Sequence, residues 1–90
     1  MQRLGIIYRG RVQGVGFRVT ALGVARGHAV SGWVRNEPDG SVRLEVQGEE
    51  GEVEALRAGV RLALGGGIED EQAMEIPVVP GEQGFEIRYW

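Results

Sequence analysis

Ninety residues with a net charge of −3 and no cysteine allow one small hydrophobic core, burying about 60–65% of the unfolded surface, and exclude disulfides and thiolate metal sites. A single histidine, His28, excludes a two-histidine metal site, no apolar run is long enough to span a bilayer, and the slightly negative balance argues against general nucleic-acid binding. The start, Met1 to Gly5, lacks the long apolar region of a signal peptide, so the expected location is the cytoplasm.

The first element is a strand. Leu4, Ile6, Tyr8, Gly10 and Val12 alternate with Arg3, Gly5, Ile7, Arg9 and Arg11, a period of two with one face for burial. The stretch from Gly10 to Arg18 follows, with three glycines and no acid. Glycine lets backbone N–H groups approach a ligand closely, and successive N–H groups with a following helix N-terminus attract an anion. Arg18 adds a planar fork of donors suited to phosphate or carboxylate. Taken alone, these residues suit a plain turn as well as a phosphate cradle. The spacing fits neither a dinucleotide fingerprint nor a Walker A loop.

A helix is expected from Phe17 to about Arg26, weakened by Gly23 and stopped at Gly27. His28 reads as a loop residue beside that end. Val30, Gly32, Val34 and Asn36 alternate with Ser31, Trp33 and Arg35 as a second strand. Glu37-Pro38-Asp39-Gly40 is a tight turn, and Val42, Leu44 and Val46 form a third strand, closing a hairpin over 29–48. Taken alone, Asn36 before a turn is more simply a turn former, and Arg18 a surface arginine at a helix start.

Glu49, Glu50 and Glu52 open the next helix, where negative charge is favoured. Val53, Leu56, Val60 and Ala63 or Leu64 make its apolar stripe, with Glu54, Arg57 and Arg61 facing outward. The helix is expected to serve packing, and Gly65-Gly66-Gly67 ends it. Met74, Ile76 and Val78 suit a strand, with Pro77 inside it marking an edge. Phe85, Ile87 and Tyr89 alternate with Glu86 and Arg88 as a short last strand. Trp90 is expected to pack or to form a lid edge. No repeat, linker or low-complexity tract interrupts 1–90, so one domain is expected.

Charge is divided along the chain. Residues 1–36 carry six arginines and no Asp or Glu, all thirteen acids lie from Glu37 onward, and there is no lysine. The first part therefore reads as electropositive and suited to a small anion.

The order βαββαβ plus a short fifth strand predicts an α+β chain, a ferredoxin-like two-layer α/β sandwich. In that plan the first two strands run parallel, joined by a right-handed crossover through the first helix. Their carboxyl ends share one edge, so the loop ending in Arg18 meets Asn36.

Two stretches then carry a family resemblance: Gly10-Arg11-Val12-Gln13-Gly14-Val15-Gly16-Phe17-Arg18, and Gly32-Trp33-Val34-Arg35-Asn36 followed by Pro38-Asp39-Gly40-Ser41-Val42. Together they closely resemble the two signatures of the acylphosphatases, in the same order and with a similar gap, and the likeness extends to Gly84-Phe85-Glu86-Ile87-Arg88. It implies hydrolysis of acyl phosphates to a carboxylate and inorganic phosphate, with neither metal nor cofactor. It implies that Arg18 and Asn36 are catalytic, Arg18 gripping the phosphate and Asn36 orienting the water. The phosphate-binding loop would comprise Gln13, Gly14, Val15, Gly16, Phe17 and Arg18. The chemistry of the residues agrees. Phosphoryl transfer asks for positioning and charge stabilisation, and an asparagine amide donates and accepts without ionising. The expected partner is a small acyl phosphate, with no nucleic acid and no membrane, and the chain is expected to be a monomer.

The chain departs from the family pattern at Val19-Thr20-Ala21, at His28-Ala29 and over 68–80. Glu37 follows Asn36 where the family favours a small or apolar residue; its charge beside the anion site is expected to weaken substrate binding. Three rivals stand. Against an acylphosphatase-like module that binds an anion without catalysis, the presence of both Arg18 and Asn36 favours the enzyme. An RNA-binding ferredoxin-like sheet wants stacking aromatics, which Ser41 to Gln47 lack. A metal carrier wants Cys-x-x-Cys, which is absent.

Overall fold

The structure, a computed structural model, describes residues 1–89; the expectation for Trp90 lies outside them. The elements run β1 (Gln2–Gly10), α1 (Phe17–Ala25), β2 (Val30–Asn36), β3 (Val42–Gly48), α2 (Glu50–Leu64), β4 (Ile68–Ile76) and β5 (Phe85–Arg88). They form a five-stranded sheet in the order β4-β1-β3-β2-β5. β3 pairs antiparallel with both β1 and β2, so β1 and β2 run parallel to each other. β5 joins the outer side of β2 in parallel. This is the ferredoxin-like plan with one strand added beside β2.

Alternation decides the layers. Leu4, Ile6 and Tyr8 of β1, Val34 of β2, and Val42, Leu44 and Val46 of β3 are buried on the face that meets the helices. α1 contributes Phe17, Ala21 and Ala25, and α2 contributes Val53, Leu56 and Val60. Each large apolar side chain buried this way is worth about 1.5–3 kcal/mol, and the three-residue stripe of α2 ties that helix to the sheet. The rings of Tyr8 and Phe17 lie 5.0 Å apart at the start of α1. The β1 alternation expected to reach Val12 stops as a strand at Gly10, yet Val12 is still buried.

The other face of the sheet is polar. Arg3 is almost fully buried there and binds Glu45 at 2.9 Å and Glu82 at 2.8 Å. Gln47 accepts from the Val79 N–H and donates to its carbonyl, and Ser31 donates to Glu82. These contacts fasten the segment 77–84 to the sheet. Trp33 is buried on this face because Arg35 and Arg88 both stack on its ring at 4.8 Å.

Two expectations need correction. The strand expected around Met74, Ile76 and Val78 begins earlier, at Ile68, and ends at Ile76; Pro77 follows it and Val78 is outside it. It is an edge strand, as Pro77 suggested, and an edge tolerates its exposed Glu69, Asp70 and Glu75. Arg57 and Arg61 do not simply face solvent. Glu71 of β4 sits opposite Tyr8, and both arginines reach it, at 3.0 and 3.1 Å. The stop expected at Gly27 agrees with the structure, where α1 ends at Ala25 with Arg26 as its C-cap. Arg26 stays right-handed, and the Gly27 and His28 N–H groups bond to Val24 and Ala25 in a tightened last turn.

Candidate active site

The site begins with backbone. Gly14 and Gly16 have φ of 75° and 76°, while Val15 between them is not in the positive region. Such an alternation turns successive N–H groups toward one side, making a nest for an anion. A Cβ at either glycine would meet open space, so the demand for glycine comes from the backbone angle rather than from crowding.

Gly16 is also the N-cap of α1 and has no side chain with which to cap it. Thr20 is the first residue whose N–H bonds back, to the Gly16 carbonyl at 3.0 Å. The N–H groups of Phe17, Arg18 and Val19 therefore have no partner within the helix. No acid stands in the first turn of α1, whereas α2 fills its own with Glu50 and Glu52. The positive end of α1 is left for an external negative charge.

Asn36 ends β2 at the same edge. It lines one cleft with Gly14, Gly16, Phe17 and Arg18, closed off by Val12 and Val19. The cleft is about 90 Å³, room for about three water volumes. That suits a small tetrahedral anion and is well below the roughly 300 Å³ at which drug-sized ligands begin. A larger hollow of about 340 Å³ between Ile7, Arg9, Glu37, Pro38 and Arg43 lies on the polar face of the sheet, away from the nest.

Gln13 and Val15 are not among the cleft's lining residues. Val15 is 46% exposed. The Gln13 side chain turns the other way, its amide donating to the carbonyls of Glu37 and Ser41, each at 2.8 Å. Gln13 thus straps the loop to the turn that follows Asn36. That turn has its own fastening. The Asp39 carboxylate accepts from the Ser41 hydroxyl at 2.6 Å and its N–H at 2.9 Å. These bonds, with Arg9 on the other oxygen, hold Asp39 down to about 2.

Glu37 follows Asn36 in the chain but does not point at the cleft. Its side chain lies toward the polar face, where Arg35 binds it at 2.9 Å, and it does not line the cleft. The division of charge along the chain is likewise not kept in space. Antiparallel pairing brings the acid-rich part against the arginines: Arg3 meets Glu45 and Glu82, Arg9 meets Asp39, and Arg35 meets Glu37. Among the described residues no carboxylate pairs with Arg18, which keeps its charge for the cleft. Its guanidinium instead lies 5.0 Å from the centre of the Tyr89 ring. The last strand, expected to include Tyr89, ends at Arg88, so Tyr89 lies just beyond it, and no local signal marks it. His28 stands at the far end of α1, paired with Glu52 at 3.3 Å. Among the described residues no three His, Cys, Asp or Glu side chains are grouped to hold a metal ion.

The family model for acylphosphatase matches residues 4–87. The chain belongs to the acylphosphatase family. An acylphosphatase of Clostridium acetobutylicum is 40% identical over an alignment covering 99% of both chains. One from Chlorobaculum tepidum is 48% identical over 68% of this chain and 66% of its own. Among solved structures, the crystal structure of acylphosphatase from Bacillus subtilis superposes with a TM-score of 0.87 at 32% identity, covering 99% of this chain and 100% of that one. The family match takes in both glycine motifs, the cleft between them and β5.

Proposed function

We propose that this chain hydrolyses acyl phosphates to a carboxylate and inorganic phosphate, with Arg18 and Asn36 as its catalytic residues. The observation that carries this reading is one cleft of phosphate size lined by Arg18 and Asn36 together with the glycine nest, although the two side chains are eighteen residues apart. The N–H groups from Gln13 to Arg18 and the Arg18 fork hold the non-bridging phosphoryl oxygens and stabilise the charge that spreads over them. The Asn36 amide accepts from a water and orients it opposite the leaving oxygen. The water oxygen bonds to phosphorus as the bridging P–O bond breaks, and its electron pair leaves with the carboxylate. The water's proton passes to a phosphoryl oxygen. A carboxylate leaves readily, so no protein base is assigned.

The charge stabilisation is assigned to protein donors alone, which makes the reaction independent of added metal. On the same reading the partner is a small acyl phosphate and not a nucleic acid, and the protein works as a cytoplasmic monomer. Size-exclusion chromatography tests the last point, an elution volume of one 9.8 kDa chain being the expected result.

The main test is phosphate release from benzoyl phosphate in excess EDTA. The native protein is expected to turn over, and Arg18→Ala and Asn36→Ala each to lose about 10²–10³ in rate, the usual cost of removing one preorganised donor. A native protein that binds phosphate through Arg18 but releases none from the substrate is an anion-binding module instead.

A further inference from the structure

We propose that Tyr89 is a positioning residue that holds the Arg18 guanidinium in the cleft before substrate arrives; this deepens the catalytic reading above and rests on it. The placement follows from the sheet. β5 runs parallel to β2 with Arg88 opposite Arg35. Asn36, the last residue of β2, and Tyr89, the first residue after β5, therefore lie at the same end of the sheet. Val34 and Ile87, two residues back, are paired and face the helices, so Asn36 and Tyr89 are directed to the side where α1 begins. Arg18 lies there, its guanidinium carbon 5.0 Å from the Tyr89 ring centre, and it lines the cleft with Asn36 from the same position.

Burial does not explain an aromatic ring at this point, because Tyr89 is 73% exposed. The nature of the contact does. A carboxylate partner would occupy the guanidinium's N–H groups and cancel its charge. A ring face attracts the cation while using none of its donors, and leaves all five N–H groups for a phosphate. Arginine also has many rotamers to lose when it grips an anion, and a stacked guanidinium has lost part of that freedom beforehand. Among the described residues Arg18 has no ion-pair partner, so the ring is the contact that directs it.

The experiment compares native protein, Tyr89→Leu and Tyr89→Phe by two readouts: the Kd for inorganic phosphate from a ³¹P NMR titration, and KM and kcat for benzoyl phosphate. Arg18 itself also stabilises transition-state charge, but the ordering that Tyr89 supplies in advance serves ground and transition states alike, so that part of the binding is uniform. Tyr89→Leu is therefore expected to raise Kd and KM about two- to fivefold, the worth of an exposed cation–π contact, with kcat nearly held. Tyr89→Phe keeps the ring face and is expected to restore both. Unchanged Kd and KM in Tyr89→Leu overturn the proposal. So does a fall in kcat at constant KM, the mark of a loosened strand with less active protein, and so does a Tyr89→Phe variant as poor as Tyr89→Leu. A native protein inert toward benzoyl phosphate sinks the catalytic reading, while the phosphate Kd series still decides the role of Tyr89.

Discussion

Gly16 serves two purposes with one backbone angle: it shapes the nest and it starts α1 without a cap. At φ of 76° an alanine would pay about 1–2 kcal/mol for its Cβ in the left-handed region, although the space around it is open. Gly16→Ala is therefore expected to lower stability by that amount in urea titration and to weaken phosphate binding as well, since relief of the strain would turn N–H groups away from the cleft. A variant as stable as the native protein would show that the angle is not required. The contribution of Arg18 is of another kind. Its proposed value lies in donors that no neighbour among the described residues uses, since a ring and not a carboxylate stands beside it. Tyr8, buried at the base of the loop, has the opposite history: desolvation, reinforced by Glu71, pushes its hydroxyl well above the usual tyrosine range, so it stays neutral and serves packing.

At the scale of elements, the turn between β2 and β3 is tied to the glycine loop. Gln13 bonds its Glu37 and Ser41 carbonyls, and Asp39 closes it through Ser41. Asp39 is held down to about 2 in the folded chain, against an ordinary 3.8. A carboxyl group whose folded value is lowered binds protons less readily folded than unfolded, so its stabilisation is present above about pH 4 and is lost as pH falls toward 2. Asp39→Asn is accordingly expected to be less stable than native protein at neutral pH, with the two unfolding curves converging between about pH 4 and 2. A difference that persists unchanged at pH 2 would mean the carboxylate charge plays no part. Much of this element was legible beforehand. The sequence Glu37-Pro38-Asp39-Gly40 announces a turn through local chemistry, and the alternation in β1, β2 and β3 announces their buried faces. The extent of β4 was not legible, because an edge strand paired on one side needs no apolar alternation, and Ile68 to Glu75 is mostly acidic and polar. Its Glu71 found cations only when α2 was laid beside it.

For the whole molecule, the polar face acts as a clasp. Arg3 sits between Glu45 of β3 and Glu82 of the 77–84 segment, almost without exposure, while each carboxylate keeps 15%. Desolvation works against the charge of Arg3, but the hydrogen bonds it donates to Glu82 and Glu45 and the attraction of both carboxylates together outweigh it and raise the guanidinium above its ordinary range. Removing one partner of such a group leaves buried charge uncompensated. Arg3→Ala is expected to cost about 2–4 kcal/mol, somewhat below a fully buried pair, and to loosen the path from β4 to β5. Thermal unfolding checks the first effect, and amide hydrogen exchange of Phe85 to Arg88, expected to speed up in the variant, checks the second. Local chemistry alone specified the helices, the three central strands, the turn and the two motifs, because periodicity, turn formers and glycine spacing act over a few neighbouring residues. Pairing partners came only with the folded sheet. Which carboxylate would meet which arginine, that Glu37 would turn away from the cleft, and that Tyr89 would stand over Arg18 all depend on strand register between distant parts of the chain, and no local pattern encodes a neighbour that arrives from seventy residues away.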